Sequence, residues 1–309
     1  MKKTLVIALG GNALVKKGQR GTYGEMMENL RAPISQIARL SKKYNIVITH
    51  GNGPQVGNIL LQQESTPGKI PQMPLQLLVA ETQGQIGFMI ESTLDEELMK
   101  LGLSDKKLFL TVLTYVKVNK NDPGFKHPTK PIGPYFKNKI KNWRMVKTPR
   151  GWRRVVASPM PITIYQKREI KKLMELGFIV IACGGGGIPV IKEGKKLYGV
   201  EAVIDKDLAS SKLAEEIKAD ILLIATDVEH VFLNFGKKNQ EAVKRISARE
   251  AEKYLQAGHF PEGSMAPKIK AAVNFTKHTG KRAAICSIEK IIPALEGRAG
   301  TQISRRTFG

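Results

Sequence analysis

TLVIALGGN, residues 4–12, is a run of strand-forming residues that stops on two glycines and an asparagine. The same design recurs in NIVITHGNG (45–53) and FIVIACGGGG (178–187), while ADILLIATDV (219–228) ends on Thr226-Asp227 instead. Near-continuous apolar runs, rather than alternating ones, belong to strands covered on both faces, as in parallel sheets. LFLTVLTYV (108–116) reads as a further strand and RAAICSI (282–288) as the last long one.

Helical periodicity fills the intervals. Met26, Leu30, Ile34, Ile37 and Leu40 predict a helix over 25–44, with Pro33 as a possible kink. Val56, Ile59 and Leu60 place a helical stretch after the second glycine turn, and Leu75 to Lys100 forms a long helix opened by Pro74 and closed by Gly102. Further helices are expected from about 163 to 177, through Leu208 and Ile217, over 247–258, and from the turn GHFPEGSMAPK (258–268) to about Thr279. This alternation predicts an α/β fold, a three-layer αβα sandwich around one mainly parallel sheet. With no repeat, linker or heptad pattern, residues 1–309 read as one domain whose lobes, 1–160 and 161–309, meet near residue 160.

Composition narrows the class. The 309 residues are 42% hydrophobic and only 6% aromatic, which suits a large Ile/Val/Leu core. Two cysteines, Cys183 and Cys286, supply neither a disulfide framework nor a metal cluster, and both sit in apolar strand-like runs as small buried residues. Met1-Lys2-Lys3 before TLVIAL resembles a signal sequence, but the six-residue run meets glycines with no small-residue cleavage site, so a first buried strand is expected. No later run approaches a membrane span, and a cytoplasmic location follows as an expectation.

The formal charge of +23 is unevenly spread. Between Tyr115 and Val155 there are twelve Lys and Arg against one acid, a net +11. Pro123, Pro128, Pro131, Pro134 and Pro149 interrupt that stretch, so residues 116–155 read as an irregular, protruding basic excursion. Such a balance fits nucleic-acid binding, anionic substrates or a solvated lysine-rich surface.

In open parallel sheets ligands sit beyond the carboxyl ends of strands, where glycines let backbone N–H groups approach an anion. Gly10-Gly11-Asn12, Gly51-Asn52-Gly53, Gly184–Gly187 and Thr226-Asp227 all stand at that place in the pattern. None makes a dinucleotide fingerprint or a P-loop, and no protein-kinase signature is present.

Seven segments in order, ALGGNAL (8–14), ITHGNGPQVG (48–57), PTKPIGP (128–134), GWRRVVASP (151–159), CGGGGIPV (183–190), GVEAVIDKDLAS (199–210) and GSMAPK (263–268), resemble the carbamate kinases of the amino acid kinase superfamily, archaeal carbamate-kinase-like enzymes included. Many superfamily relatives carry Lys two residues before the first Gly-Gly; here that place is Ala8, which is the carbamate kinase pattern. The resemblance implies reversible phosphoryl transfer, ATP plus carbamate giving ADP plus carbamoyl phosphate, with Mg²⁺ on the nucleotide. In the cell that chemistry makes ATP in one direction and feeds pyrimidine or arginine synthesis in the other.

By the same resemblance Lys206 bridges the transferring phosphoryl group, Lys268 holds the ATP phosphates, and Lys130 reaches in from the excursion. Asp207 orients the lysines, with Asp205 beside it; the two acids also suit an ordinary helix N-cap. Gly10, Gly11, Asn12, Gly51, Asn52 and Gly53 bind the carbamate or transferred phosphate. Gly184, Gly185, Asp205, Thr226, Asp227 and Met265 line the nucleotide side. His50 is assigned positioning rather than base chemistry, because a carbamate acceptor has no proton to remove. No protein metal ligand is named. The family implies a homodimer, for which the Leu75–Lys100 helix offers an apolar face, and nucleic acid is not expected as a partner because no RNA-binding motif accompanies the charge. Transfer to another small carboxylate or phosphonate, and a nucleic-acid or regulatory role on the same scaffold, are the competing readings.

Overall fold

The computed structural model describes residues 2–261 and 263–305; Met1, Glu262 of the GHFPEGSMAPK turn, and 306–309 lie outside them. An eight-stranded sheet organises the chain. From one edge to the other it runs Arg245–Ser247, Thr301–Ser304, Arg282–Ser287, Ile221–Thr226, Lys3–Leu9, Tyr44–His50, Ile179–Ile181 and Phe109–Thr111. Neighbours pair in parallel except Arg282–Ser287 with Thr301–Ser304, which is antiparallel. The expected mainly parallel αβα sandwich is therefore met.

The first strand explains the two-sided core. Val6 and Ala8 enter one apolar cluster and Leu5, Ile7 and Leu9 the other, as strand alternation requires. Helices Lys206–Glu216 and Met265–Thr279 pack on the first side through Ala209, Leu213, Ile269 and Phe275. Helices Tyr23–Leu40 and Leu75–Lys100 pack on the second through Leu30, Ile34, Ile86 and Ile90. Thr22 and Glu25 close a capping box at the start of the Tyr23–Leu40 helix, which ends at Leu40 rather than 44 because Tyr44 already begins a strand.

Four further departures from the sequence reading bear on the site's frame. LFLTVLTYV is not one strand: Phe109–Thr111 belongs to the main sheet and Tyr115–Lys117 to a separate four-stranded sheet. The pivot is Thr114, whose backbone N–H donates to Gln83 Oε1 at 2.8 Å while its carbonyl accepts from Gln83 Nε2 at 2.9 Å. Helix Lys167–Glu175 starts later than 163 because Thr163–Ile164 pairs beside Tyr115–Lys117. Thr301–Ser304, with one aliphatic residue, carries no strand signal.

The basic excursion is the fourth and largest correction. It is an ordered arm, a three-stranded antiparallel sheet with Gly151–Val156 between Lys130–Phe136 and Met145–Thr148. Pro131 and Pro134 lie on an outer strand whose pairing is irregular between Ile132 and Phe136, where missing N–H donors are tolerated.

Candidate active site

Parallel register brings the turns together. Leu9 stands beside Ala225 on one side and His50 on the other, and Ile48 beside Ile181, so all four predicted turns leave the same edge of the sheet. A cavity of about 950 Å³ opens there. Of the predicted site residues, all but Gly184 line it.

Its centre is Asp207. Oδ1 accepts from Lys206 Nζ at 2.7 Å and Oδ2 from Lys268 Nζ at 3.0 Å, so one buried carboxylate holds two ammonium groups. The local cause is helical. Asp205 caps the Lys206–Glu216 helix by accepting from the Asp207 and Leu208 amides, which fixes Lys206 and Asp207 in its first turn. Lys268 comes from the first turns of the Met265–Thr279 helix. Asp205 also holds Lys130 of the arm, at 2.6 Å. Asp205 thus caps the helix while it pairs with Lys130, and Asp207 pairs with Lys206 and Lys268.

Burial works against the charge of Asp207, yet Lys206 and Lys268 overcome it and hold its carboxyl below the usual carboxylate range. Burial draws Lys206 below the usual lysine range, opposed by Asp207. Lys268 is also penalised by burial, but Asp207 and Asp205 carry it above the ordinary value. The result is a cluster of charge in a buried floor, where electrostatic interactions are stronger than in water.

The glycine turns divide their roles. The Gly10 N–H donates to Ala225 O at 2.8 Å, and that of Gly51 leans on Leu9 O at 3.4 Å, so neither is free for an anion as anticipated. The amides of Gly11, Asn12, Asn52 and Gly53 have no acceptor among the described residues. Gly184 and Gly185 correct a second expectation: they stand with the Gly51–Gly53 turn, not with Thr226 and Asp227. A Cβ on Gly185 would lie 1.6 Å from Asn52 Oδ1, and one on Gly184 would lie 2.5 Å from His50 Nε2. They are a backing that only glycine permits.

His50 is buried below the cavity, its Nδ1 3.0 Å from Gly51 O and its Nε2 without a partner among the described residues. Burial, with Lys206 adding to it, lowers its pKa to about 4. Thr226 Oγ1 donates to Asp227 at 3.0 Å on the opposite side, where Val228, Phe232, Phe235 and Met265 form an apolar wall.

Sequence reasoning missed part of the cavity. Lys16, Lys17 and Arg20 after the first turn, and Tyr135, Arg150 and Arg153 of the arm, also line it. The cavity thus presents eight Lys and Arg against Asp205, Asp207 and Asp227. For Arg153 a signal existed in GWRRVV, since strand alternation sends Arg153 and Arg154 to opposite faces. Among the described residues no group of three or more His, Cys, Asp or Glu is placed to hold a metal.

This geometry agrees with what the chain resembles. The profile of the amino acid kinase family matches residues 3–287. A carbamate kinase of Pyrococcus horikoshii is 49% identical, over 98% of this chain and 100% of that protein. That of Thermococcus kodakarensis is 48% identical, over 98% and 99%. The solved structure of carbamate kinase from Giardia lamblia bound to AMP-PNP superposes with a TM-score of 0.89 at 37% identity, covering 98% of each chain. The chain belongs to the amino acid kinase family, among its carbamate kinases.

Proposed function

We propose that the protein is a carbamate kinase, catalysing the reversible Mg²⁺-dependent reaction of ATP and carbamate to ADP and carbamoyl phosphate. The observation that carries the reading is Asp207 bridging Lys206 and Lys268 where four strand-end turns converge. A carbamate oxygen attacks the γ-phosphorus and the β–γ bridging oxygen leaves with the bond's electrons as ADP. The attacking oxygen carries no proton, so no base is required, which fits a neutral, buried His50 held on a carbonyl. The protein's task is alignment and neutralisation of spreading charge. Lys206 serves the transferring phosphoryl group, Lys268 the nucleotide phosphates, and Lys130 the acceptor end.

The amides of Gly11, Asn12, Asn52 and Gly53, with the Asn12 side chain, suit carbamate and the transferred phosphate. Thr226, Asp227 and Met265, backed by Phe232 and Phe235, suit the nucleotide. On this reading residues 1–160 form the carbamate lobe and 161–309 the nucleotide lobe. Asp207 and Asp205 are committed to lysines, so the donor set fits magnesium held mainly by phosphates and not by a protein cage. When bound, the ion neutralises the β and γ oxygens.

A homodimer is part of the proposal. Leu77, Phe88 and Met99, spaced by eleven residues and therefore on one face of the long helix, are 43%, 60% and 57% exposed. A cytoplasmic site of action is proposed as well; no helix of the described residues is long and apolar enough to cross a membrane. A nucleic-acid role is not favoured. The arm's aromatics are engaged by its own residues: Trp143 lies between Phe136 and Arg154, and Lys139 sits over Trp152.

An acceptor panel tests the reading. ADP with carbamoyl phosphate should give ATP far faster than ADP with N-acetylglutamyl phosphate. The reverse preference would reassign the protein to another carboxylate of the same family.

A further inference from the structure

The arm carries two neighbouring arginines with opposite fates. Arg154 is answered: Nη1 lies 2.8 Å from both Glu64 carboxylate oxygens, and its guanidinium stacks on Trp143 at 4.5 Å. Arg153, on the other face of the strand, is not. Nη2 donates to the Gly133 carbonyl at 2.9 Å, Cζ sits 5.0 Å from the Tyr135 ring, and Nε is buried with no acceptor among the described residues. Burial pulls its pKa below the ordinary guanidinium value, and the neighbours acting on it are Tyr135 and Arg150, with no acid among them.

Arg153 is half-buried, and a guanidinium partly withdrawn from water with no carboxylate beside it gains when a ligand supplies the negative charge. Arg153 and Lys130 both belong to the arm and line the cavity, and Lys130 is already paired with Asp205 at 2.6 Å. Lys16, Lys17 and Arg20 lie exposed on the rim. Stacking on Tyr135 and the bond to Gly133 fix the plane of the Arg153 fork, whose remaining donors match the spacing of phosphate oxygens.

We infer that Arg153 is a substrate-binding residue of the acceptor end, clamping the phosphate of carbamoyl phosphate through its guanidinium. The inference rests on the carbamate kinase reading for the identity of the ligand, and on the arm's geometry for the site.

The test is calorimetric titration of ADP-saturated protein with inorganic phosphate, for wild type, Arg153→Met and Arg153→Lys, with melting temperatures measured alongside. Phosphate affinity should fall about tenfold or more in Arg153→Met and less in Arg153→Lys, which keeps charge but not the fork. The KM for carbamoyl phosphate should rise in step while that for ADP stays within about two-fold. Equal phosphate affinity in wild type and a normally melting Arg153→Met protein overturns the inference. So does an absence of phosphate binding in wild type, or an equal rise in the KM for ADP. Wild type that binds phosphate through Arg153 yet forms no ATP from carbamoyl phosphate upholds the clamp and removes the carbamate kinase reading.

Discussion

At Asp207 one carboxylate accepts from two ammonium groups inside the protein, and both lysines depend on it for orientation and charge balance. Breaking a buried pair from one side leaves uncompensated charge, a loss on the order of 3–5 kcal/mol. Asp207→Asn should therefore lower both stability in urea and turnover; unchanged stability would mean the lysines find other partners. Burial, reinforced by Lys206, depresses the pKa of His50 from 6.5 to about 4, so the unfolded chain binds the proton more readily than the native one. Stability is full above pH 6.5 and should fall by up to about 3 kcal/mol as pH drops toward 4. Urea midpoints across that range should show the loss in wild type and a flatter profile in His50→Gln; identical profiles would refute the assignment. The lysines were legible in IDKD and GSMAPK through resemblance. So was Asp207 as the group that orients them; the pairing of Lys130 with Asp205 was not, because it joins the arm to a helix start distant in sequence.

At the scale of elements, the arm is set against the body by a close approach of two glycines. A Cβ on Gly57 in the Gln55–Glu64 helix would meet Gly133 N at 2.1 Å, and the Glu64–Arg154 pair fastens the other end of the same helix. Gly57→Ala should push the arm outward at a cost of about 1–3 kcal/mol. Because Lys130 and Gly133 share the displaced strand, activity should drop more than global stability does; a fully active variant would show that arm position is not limiting. The parallel core strands were readable because burial on both faces leaves an apolar run such as TLVIAL. The arm was not, because its prolines argue against helix and hide a strand that tolerates them only at a sheet edge. LFLTVLTYV failed for a related reason: its run is continuous in sequence, but Gln83 turns the backbone at Thr114.

For the whole molecule, only part of the +23 charge converges on the cavity, where eight cations against three aspartates leave a net +5 toward anionic substrates. Composition alone admitted nucleic acid, anionic substrates and a solvated lysine-rich surface, since it cannot say where side chains meet. The exposed row Leu77, Phe88 and Met99 makes assembly testable: Phe88→Glu should convert a dimer to monomer in light scattering after gel filtration, and a monomeric wild type would contradict the proposed dimer. The central claim, a carbamate kinase whose phosphoryl group passes along lysines fixed by Asp207, is tested most directly by ATP formation from ADP and carbamoyl phosphate with Mg²⁺, in wild type and Lys206→Ala. The account predicts robust synthesis in wild type and a loss of about 100-fold or more in a folded mutant. No ATP from a folded, ADP-binding wild type, or full activity without Lys206, would contradict it.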